Sequence, residues 1–230
     1  MRQRLVHRRA RQLVATAIGV ILAVILALVL GIGWSPSPQS YRFQGVDVSA
    51  ANGTIEWPVL RGGGVSFAYL TATVGADARD PMFETNWREV YAAGLRRGPL
   101  HVYSLCRLAA DQANNFNTTV PNTADSLPPA IWVDFEDGCA ARPDRAVVIG
   151  ELERLLSTIE SHMRKPALIK ISRRFESAYR VTAAIPRPIW AVQAYFPPDY
   201  TARSWRMWQA NAMRRIDGAP TLVHWNVVAP

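Results

Sequence analysis

The stretch Pro128-Pro129-Ala130-Ile131-Trp132-Val133-Asp134-Phe135-Glu136-Asp137-Gly138 predicts a short apolar β-strand with acidic residues at its carboxyl end. Two prolines precede the strand and Asp-Gly follows it, which is typical of strand boundaries. Because strand side chains alternate, Asp134 and Glu136 share one face while Phe135 points to the other. Alone, the pattern fits either a carboxylate pair kept for chemistry, since buried charges are costly, or a strand ending in a solvated acidic turn.

The composition limits the class of protein. The chain has 230 residues, of which 49% are hydrophobic, enough for one domain with a sizeable core and an additional segment. The formal net charge is +8, but five positive charges lie in a short N-terminal run of Arg2, Arg4, Arg8, Arg9 and Arg11. The rest of the chain is mildly basic without a dense Lys/Arg stripe, which argues against a nucleic-acid partner and suits an anionic polymer.

An uncharged apolar segment, residues 13–34, follows the arginines. At about 1.5 Å of rise per residue it can cross a hydrocarbon core of about 30 Å as one transmembrane helix. Flanking arginines predict that residues 1–12 are cytoplasmic, and Trp34 suits the opposite interface. We therefore expect a signal anchor in the cytoplasmic membrane, a linker over residues 35–42, and a periplasmic or extracellular domain over residues 43–230. A cleaved signal peptide is the alternative, disfavoured by the segment's length and the lack of a small-x-small cleavage site.

Cys106 and Cys139 are the only cysteines in the sequence, and both lie in the part expected to be exported, where oxidation is permitted. Each follows a predicted strand. We prefer a disulfide between them over two buried free thiols. A metal site is disfavoured, because no clustered histidines accompany them.

Predicted strands and helices alternate along the exported part. The first five strands are expected at residues 44–49, 66–73, 99–105, 130–136 and 167–172. The clearest helix is predicted over residues 144–164, where apolar residues recur at three- and four-residue spacing. A second is predicted over residues 84–96, capped by Gly98. This alternation is typical of a parallel sheet with crossover helices.

The pattern changes after the fifth strand. A helix over residues 173–181 precedes three strand-like runs, residues 189–195, 205–210 and 222–228. The intervals between these runs are short for parallel crossovers and contain Pro, Gly, Asp and Asn, so we expect loops and reversed strands. Eight strands and about five helices predict a closed barrel, whose catalytic groups lie at the carboxyl ends of the strands.

Asp47 lies near the end of the first predicted strand, in Gly45-Val46-Asp47-Val48-Ser49. A lone Asp at a strand end is most often a loop cap or an Asx turn. In a barrel, however, Asp47 is at the same rim as Asp134 and Glu136, so three acids from two strands face one cleft. This convergence favours a catalytic site.

Further motifs occur in a characteristic order along the chain. With the Asp47 run, they are Ile55-Glu56-Trp57, Phe67-Ala68-Tyr69-Leu70-Thr71-Ala72-Thr73, Asp80-Pro81-Met82-Phe83, Asn86-Trp87, Ala92-Ala93-Gly94-Leu95, Gln112-Ala113-Asn114-Asn115-Phe116, Leu127-Pro128-Pro129, Asp134-Phe135-Glu136 and Trp208-Gln209. Over residues 43–228 they resemble glycoside hydrolase family 25, the lysozymes of bacteria, phages and fungi. The resemblance implies an irregular TIM-like α/β barrel, five β/α units followed by three strands. It also implies cofactor-free cleavage of the β-1,4 bond between N-acetylmuramic acid and N-acetylglucosamine in peptidoglycan.

The resemblance implies that Glu136 is the general acid, that Asp134 is the stabilising carboxylate and that Asp47 binds or orients the sugar. Glycoside hydrolysis requires such an acid for the leaving oxygen and a carboxylate near the anomeric carbon. Nearby acids in a partly apolar cleft are expected to raise the pKa of Glu136 and keep it protonated. Asp134 either contacts the anomeric centre or orients the substrate's 2-acetamido group. The spacing of about 6.6 Å along the strand leaves retaining and inverting outcomes both open.

Substrate-binding candidates accompany these acids. They are Trp190, Trp208, Gln209, His101, Tyr195 and His224. Flat aromatic rings stack on sugar faces, and packing in the barrel core is the alternative for each of them. Trp190 and Trp208 match family positions that line the cleft. His224 is either a hydrogen-bond donor or a structural histidine.

The chain also departs from the family pattern. Val74 and His224 replace usual acids, Leu100 replaces one of an aromatic pair, and Lys170 stands where a tyrosine is usual. Two functions follow. The first is a membrane-anchored muramidase that trims peptidoglycan from the outer face of the cytoplasmic membrane, favoured by the three acids. The second, favoured by the departures, is a catalytically impaired relative that binds glycan strands or scaffolds an envelope complex.

Overall fold

A computed structural model describes residues 2–135 and 138–230, and for residues 2–15 the backbone only. The chain forms two compact units, Met1–Trp34 and Ser35–Pro230. The first unit holds one helix, α1 (Arg2–Gly33). Within it, Thr16–Gly33 has a mean hydropathy of 2.7 and no buried residue. This stretch is long and apolar enough to cross a membrane, and a signal sequence would meet the same criteria.

The second unit is a closed barrel of eight strands with one additional short strand. The barrel strands are β1 (Gln44–Val48), β2 (Phe67–Val74), β4 (Arg96–Val102), β5 (Ala130–Val133), β6 (Leu168–Ser172), β7 (Ile189–Val192), β8 (Met207–Arg214) and β9 (Val223–Val228); β3 (Ala78–Arg79) pairs with β2. Each barrel strand pairs with the next in this order, and β9 pairs with β1 to close the barrel. The predicted closed α/β barrel is confirmed.

Helices follow most of the parallel strands. They are α2 (Trp57–Gly62), α3 (Phe83–Ala92), α4 (Ala109–Thr119), α5 (Arg145–Met163), α6 (Arg173–Tyr179) and α7 (Val181–Ala184). Helix α5 agrees with its prediction and buries its apolar stripe, including Leu152 and Leu156. Helix α3 ends earlier than predicted, because Gly94 turns the chain at a φ of 73°. Gly98, expected as its cap, lies inside β4, where a Cβ atom would come within 2.5 Å of the Tyr69 ring.

One strand direction differs from the prediction. β8 and β9 are antiparallel as expected, whereas β7 and β8 are parallel. The connection from β7 to β8, residues 193–206, contains no helix. Its side chains hold it in place by hydrogen bonds to backbone groups of neighbouring segments. The Tyr200 hydroxyl donates to the carbonyl of Ile171 at 2.6 Å and accepts from the amide of Val192 at 2.7 Å. Arg203 donates to backbone carbonyls of the preceding connection.

The segment expected as a linker is bound to the barrel. The Gln44 side-chain amide donates to the carbonyls of Pro36 and Tyr41, both at 3.0 Å. The ring of Tyr41 packs against Trp205 and Trp208, with centroids 6.3 and 5.8 Å apart. Residues 36–42 therefore belong to the folded domain.

The barrel interior changes from apolar to polar along the strands. Near the amino ends of the strands, the interior core cluster comprises Phe67, Tyr69, Leu100, Ala130, Leu168, Trp190 and Met207. Toward the carboxyl ends lie buried charged and polar side chains, among them Asp47, Asp134, Lys170 and Ser172. This gradient places the charges at the rim where barrel enzymes carry their active sites.

Candidate active site

Asp134 follows β5 directly, and its side chain is only 4% exposed. Its Oδ1 accepts hydrogen bonds from Ser172 Oγ at 2.7 Å and Arg174 Nε at 2.8 Å, and its Oδ2 accepts from Arg174 Nη2 at 3.0 Å. Burial alone would raise the pKa of Asp134, but hydrogen bonds from Arg174 and Ser172, with the charge of Arg174, hold this pKa below its usual range. The carboxylate is therefore ionised and fixed by a two-pronged charged hydrogen bond.

The turn from β6 to α6 supplies both partners of Asp134. Ser172 ends β6 and caps α6, because its Oγ also accepts from the amide of Phe175 at 3.2 Å. Arg174 lies in the first turn of that helix. Strands β5 and β6 are neighbours in the barrel, so this turn lies beside Asp134. Sequence reasoning did not identify Ser172 or Arg174; the available signal was a capping serine followed by arginine at a strand end.

Asp47 lies inside the barrel on β1, with its side chain 10% exposed. Its Oδ2 accepts from Lys170 Nζ at 2.6 Å and from His224 Nδ1 at 2.9 Å, while Oδ1 accepts from Asn226 Nδ2 at 2.8 Å. Burial opposes ionisation, but the charges and hydrogen bonds of Lys170 and His224 hold the pKa of Asp47 far below its usual range. Asp47 is therefore an ionised group whose two oxygens are already engaged.

Lys170 provides the buried countercharge. Its side chain is 3% exposed, and its Nζ lies 5.1 Å from the ring centroid of Trp132 and 4.5 Å from that of Trp190. The two indoles and Asp47 together stabilise an ammonium group that burial would otherwise penalise. Lys170, which stands where the family usually has a tyrosine, therefore forms a buried ion pair with Asp47.

His224 lies opposite Asp47 in the β1–β9 pairing, and its side chain is 46% exposed. Because an ionised carboxylate only accepts hydrogen bonds, Nδ1 of His224 carries the proton in this contact. His224 is thus the hydrogen-bonding neighbour of Asp47 at the open side of the site.

Glu136 lies outside the described residues, together with Asp137. The chain around it shows that β5 ends at Val133, three residues before the predicted end. Phe135 packs against Phe175 and Tyr179 of α6, with ring centroids 5.0 and 6.1 Å apart. The predicted alternation therefore continues beyond the strand, with Asp134 bound within the rim and Phe135 directed to the helix layer.

His101, expected to bind substrate, lies in the interior of the protein. Its side chain is fully buried between β4 and α4, with Nδ1 2.8 Å from Thr73 Oγ1 and Nε2 3.2 Å from Gln112 Oε1. The ring also meets Phe116 edge-on. Burial lowers the pKa of His101 to about 4, so the imidazole is neutral at physiological pH.

Trp190 and Trp208, expected at the cleft, are buried core residues, which is the alternative that the sequence also allowed for them. Trp208 packs with Tyr41 and Trp205, and its indole N–H donates to the carbonyl of Gln193 at 2.6 Å. Trp190 is completely buried beneath Lys170 and donates to Asn226 Oδ1 at 3.1 Å. Trp190 therefore supports the charged groups from below.

The family model for Glycosyl hydrolases family 25 matches residues 46–219. This chain belongs to family 25. The uncharacterized protein YegX of Escherichia coli K12 is 29% identical over 196 residues, covering 83% of this chain and 71% of that protein.

Two solved structures share the barrel of this family 25 glycoside hydrolase. A family 25 glycosyl hydrolase from Bacillus anthracis is 26% identical, with a TM-score of 0.79, covering 85% of this chain and 92% of that one. A bacterial lysozyme from Streptomyces coelicolor is 22% identical, with a TM-score of 0.73, covering 82% and 92%. The second likeness is one of fold.

Other residues of this family 25 enzyme remain candidates for substrate contact. Gln209 is buried, and its Oε1 has no hydrogen-bond partner in the part of the chain that the structure describes. Tyr195 is half-buried just after β7 and holds a positive φ of 68°. Trp132, which sequence reasoning missed, is partly exposed beside Lys170. The sequence could have indicated this position, because Trp132 stands two residues before Asp134 and therefore lies on the same face of the strand.

A disulfide joins Cys106 and Cys139, with their Cα atoms 5.7 Å apart. It links the segment after β4 to the segment after β5, close in sequence to Asp134. Within residues 2–135 and 138–230, no group of three or more His, Cys, Asp or Glu side chains is placed to hold a metal ion.

Proposed function

We propose that this family 25 enzyme is a muramidase that cleaves the β-1,4 bond between N-acetylmuramic acid and N-acetylglucosamine in peptidoglycan. Glu136 is the general acid and Asp134 the stabilising carboxylate. Family membership supports the reaction class, and the lysozyme among the structural neighbours supports the polymer. The observation that carries the proposal is the buried, ionised Asp134, fixed by Ser172 and Arg174 two residues before Glu136.

The role of Asp134 follows from its environment. The transition state of glycoside cleavage develops positive charge at the anomeric carbon, so a nearby preorganised anion stabilises it. Ser172 and Arg174 fix the orientation of the carboxylate before substrate arrives, which avoids a reorganisation cost during the reaction. Arg174 is 58% exposed, so solvent screens its positive charge more than that of a buried partner.

Asp47 acts indirectly in this proposal. Its oxygens are occupied by Lys170, His224 and Asn226, so it orients these groups toward the sugar in place of binding the sugar itself.

The cellular location completes the proposal. Thr16–Gly33 anchors the protein in the cytoplasmic membrane, with the basic N-terminal residues inside and the barrel outside. The Cys106–Cys139 disulfide is compatible with an oxidising compartment. The anchored barrel would reach peptidoglycan from the membrane side.

The direct test is digestion of purified peptidoglycan by the detergent-solubilised full chain. Wild type should release soluble glycan fragments, Glu136→Gln should release none, and Asp137→Asn, a matched loss of one acid beside it, should retain activity. If wild type binds peptidoglycan in sedimentation but releases nothing, the glycan-binding alternative replaces this proposal.

A further inference from the structure

The amino end of the barrel, opposite the candidate active site, holds an open cavity of about 320 Å³. Phe67, Leu168 and Met207, all from the starts of strands, line it and belong to the interior core cluster. Phe43, a residue that is 53% exposed, also lines the cavity. The volume is that of a small-molecule pocket, and its lining is mainly apolar.

Arginines surround this apolar opening. Arg96 and Arg206 line the cavity and are exposed. The guanidinium of Arg42 lies 5.6 Å from the ring of Phe43. None of the ion pairs formed by the described residues includes Arg42, Arg96 or Arg206. Unpaired cations at the mouth of an apolar cavity favour a ligand with a negative head and an apolar body.

The whole amino end shares this basic character. Among the described residues, its loops and the first residues of its strands carry seven basic side chains, Arg42, Arg96, Arg164, Lys165, Arg187, Arg203 and Arg206, and one acidic side chain, Asp125. Some of these charges have structural partners, since Arg187 pairs with Glu160 and Asp125 pairs with Arg97. The remaining field is positive, so this end attracts an anionic surface.

We propose that the amino end of the barrel binds an acidic phospholipid, with an acyl chain in the cavity and the phosphate between Arg96 and Arg206. A glycan strand would need polar groups inside the cavity, whereas the lining supplies Phe67, Leu168 and Met207. The apolar stretch Thr16–Gly33 makes lipids an available partner of this chain. The site is distinct from the glycan cleft and does not depend on catalysis there.

Native mass spectrometry of the full chain in detergent tests this site. The probes are phosphatidylglycerol, phosphatidylcholine, the water-soluble headgroup glycerophosphoglycerol and inorganic phosphate, at equal concentrations. Wild type should retain phosphatidylglycerol about tenfold over phosphatidylcholine, because each arginine near an anionic headgroup adds to binding. Neither the free headgroup nor phosphate should be retained.

Charge-reversal variants locate the binding on the barrel. Arg96→Glu/Arg206→Glu should remove the preference for phosphatidylglycerol, while Arg88→Glu/Arg154→Glu, two exposed arginines on helices α3 and α5, should preserve it. The arginines of residues 2–11 are common to all variants, so the difference between variants reports on the cavity. An unchanged preference in Arg96→Glu/Arg206→Glu would overturn the proposal. So would equal retention of glycerophosphoglycerol or phosphate, which would indicate a plain anion site, or displacement of lipid by soluble muropeptides.

Discussion

The two ends of the barrel use charge in opposite ways. At the carboxyl end, Asp47 is paired with Lys170, and Asp134 with Arg174, and both acids are buried and hydrogen-bonded on each oxygen. At the amino end, Arg96 and Arg206 surround an apolar cavity without an ion-pair partner among the described residues.

This difference follows from what each end has to hold. A group that stabilises a transition state must be fixed in advance, so its partners are part of the fold. A surface that binds an external anion must leave its cations available to that anion. The comparison predicts that mutations at the carboxyl end affect catalysis and stability, whereas mutations at the amino end affect binding alone.

The largest effect is expected from the Asp134 carboxylate. Asp134→Asn should lower kcat about 10²- to 10³-fold, because it removes the preorganised negative charge while keeping the shape of the side chain. Asp199→Asn is the matched control, since Asp199 pairs with Arg173 on the exposed surface. Steady-state cleavage of soluble glycan fragments measures both. Equal rates for the two variants would remove Asp134 from the mechanism.

The next effect concerns the buried pair. Lys170→Met leaves Asp47 buried without its main countercharge and should destabilise the fold by about 3 kcal/mol. The double variant Asp47→Asn/Lys170→Met should recover much of this loss. Arg173→Met, which breaks an exposed pair, should leave the melting temperature nearly unchanged. Thermal unfolding followed by tryptophan fluorescence gives these values, and a fully stable Lys170→Met single variant would contradict the account.

The pH dependence separates the rim acids from His101. The pKa of His101 is about 4 in the folded chain and near 6.5 in the unfolded chain. Between these two pH values the unfolded chain therefore binds more protons than the folded chain. Stability should therefore fall by about 3 kcal/mol as pH falls from 6.5 to 4. The depressed pKa values of Asp47 and Asp134 act at lower pH, where their stabilisation is lost below about pH 4.

His101→Gln isolates the first of these two pH windows. The variant should flatten the stability curve between pH 6.5 and 4 and leave the steeper fall below pH 4. Asp47→Asn should reduce the fall below pH 4 and leave the slope between pH 6.5 and 4 unchanged. Melting temperatures measured across pH 3 to 7 distinguish the two, and identical curves would argue that neither group controls the acid response.

The smallest effect is expected at the amino end. Arg96→Glu/Arg206→Glu should cleave soluble glycan fragments within about twofold of the wild-type rate, because solvent screens exposed charges at this distance from the carboxyl rim. Steady-state assays in lipid-free detergent provide the measurement. A large loss of kcat in a folded variant would mean that the two ends are coupled.

The sequence predicted which rim of the barrel a residue lies on better than it predicted the side chains that the residue contacts. Strand alternation and order placed Asp47 and Asp134 at one rim of a closed barrel. The same rule could not supply Lys170, which lies 123 residues from Asp47 along the chain. Trp208 was expected at the cleft because it matches a family position, with core packing as the alternative, and its contacts lie in the packed core. His101 was expected to bind substrate, and it is buried against Gln112 of α4. The prediction that β8 runs opposite to β7 was wrong. The connection between them is held by hydrogen bonds between Tyr200 and neighbouring strands, and such tertiary contacts cannot be read from the local sequence.

The most direct test of the central claim is the identity of the new reducing end. Peptidoglycan digested by the full chain, reduced with borohydride and analysed by mass spectrometry should contain N-acetylmuramitol, and digestion by Glu136→Gln should yield none. N-acetylglucosaminitol as the reduced end, or equal release by Glu136→Gln, would contradict a muramidase that uses Glu136 as its acid.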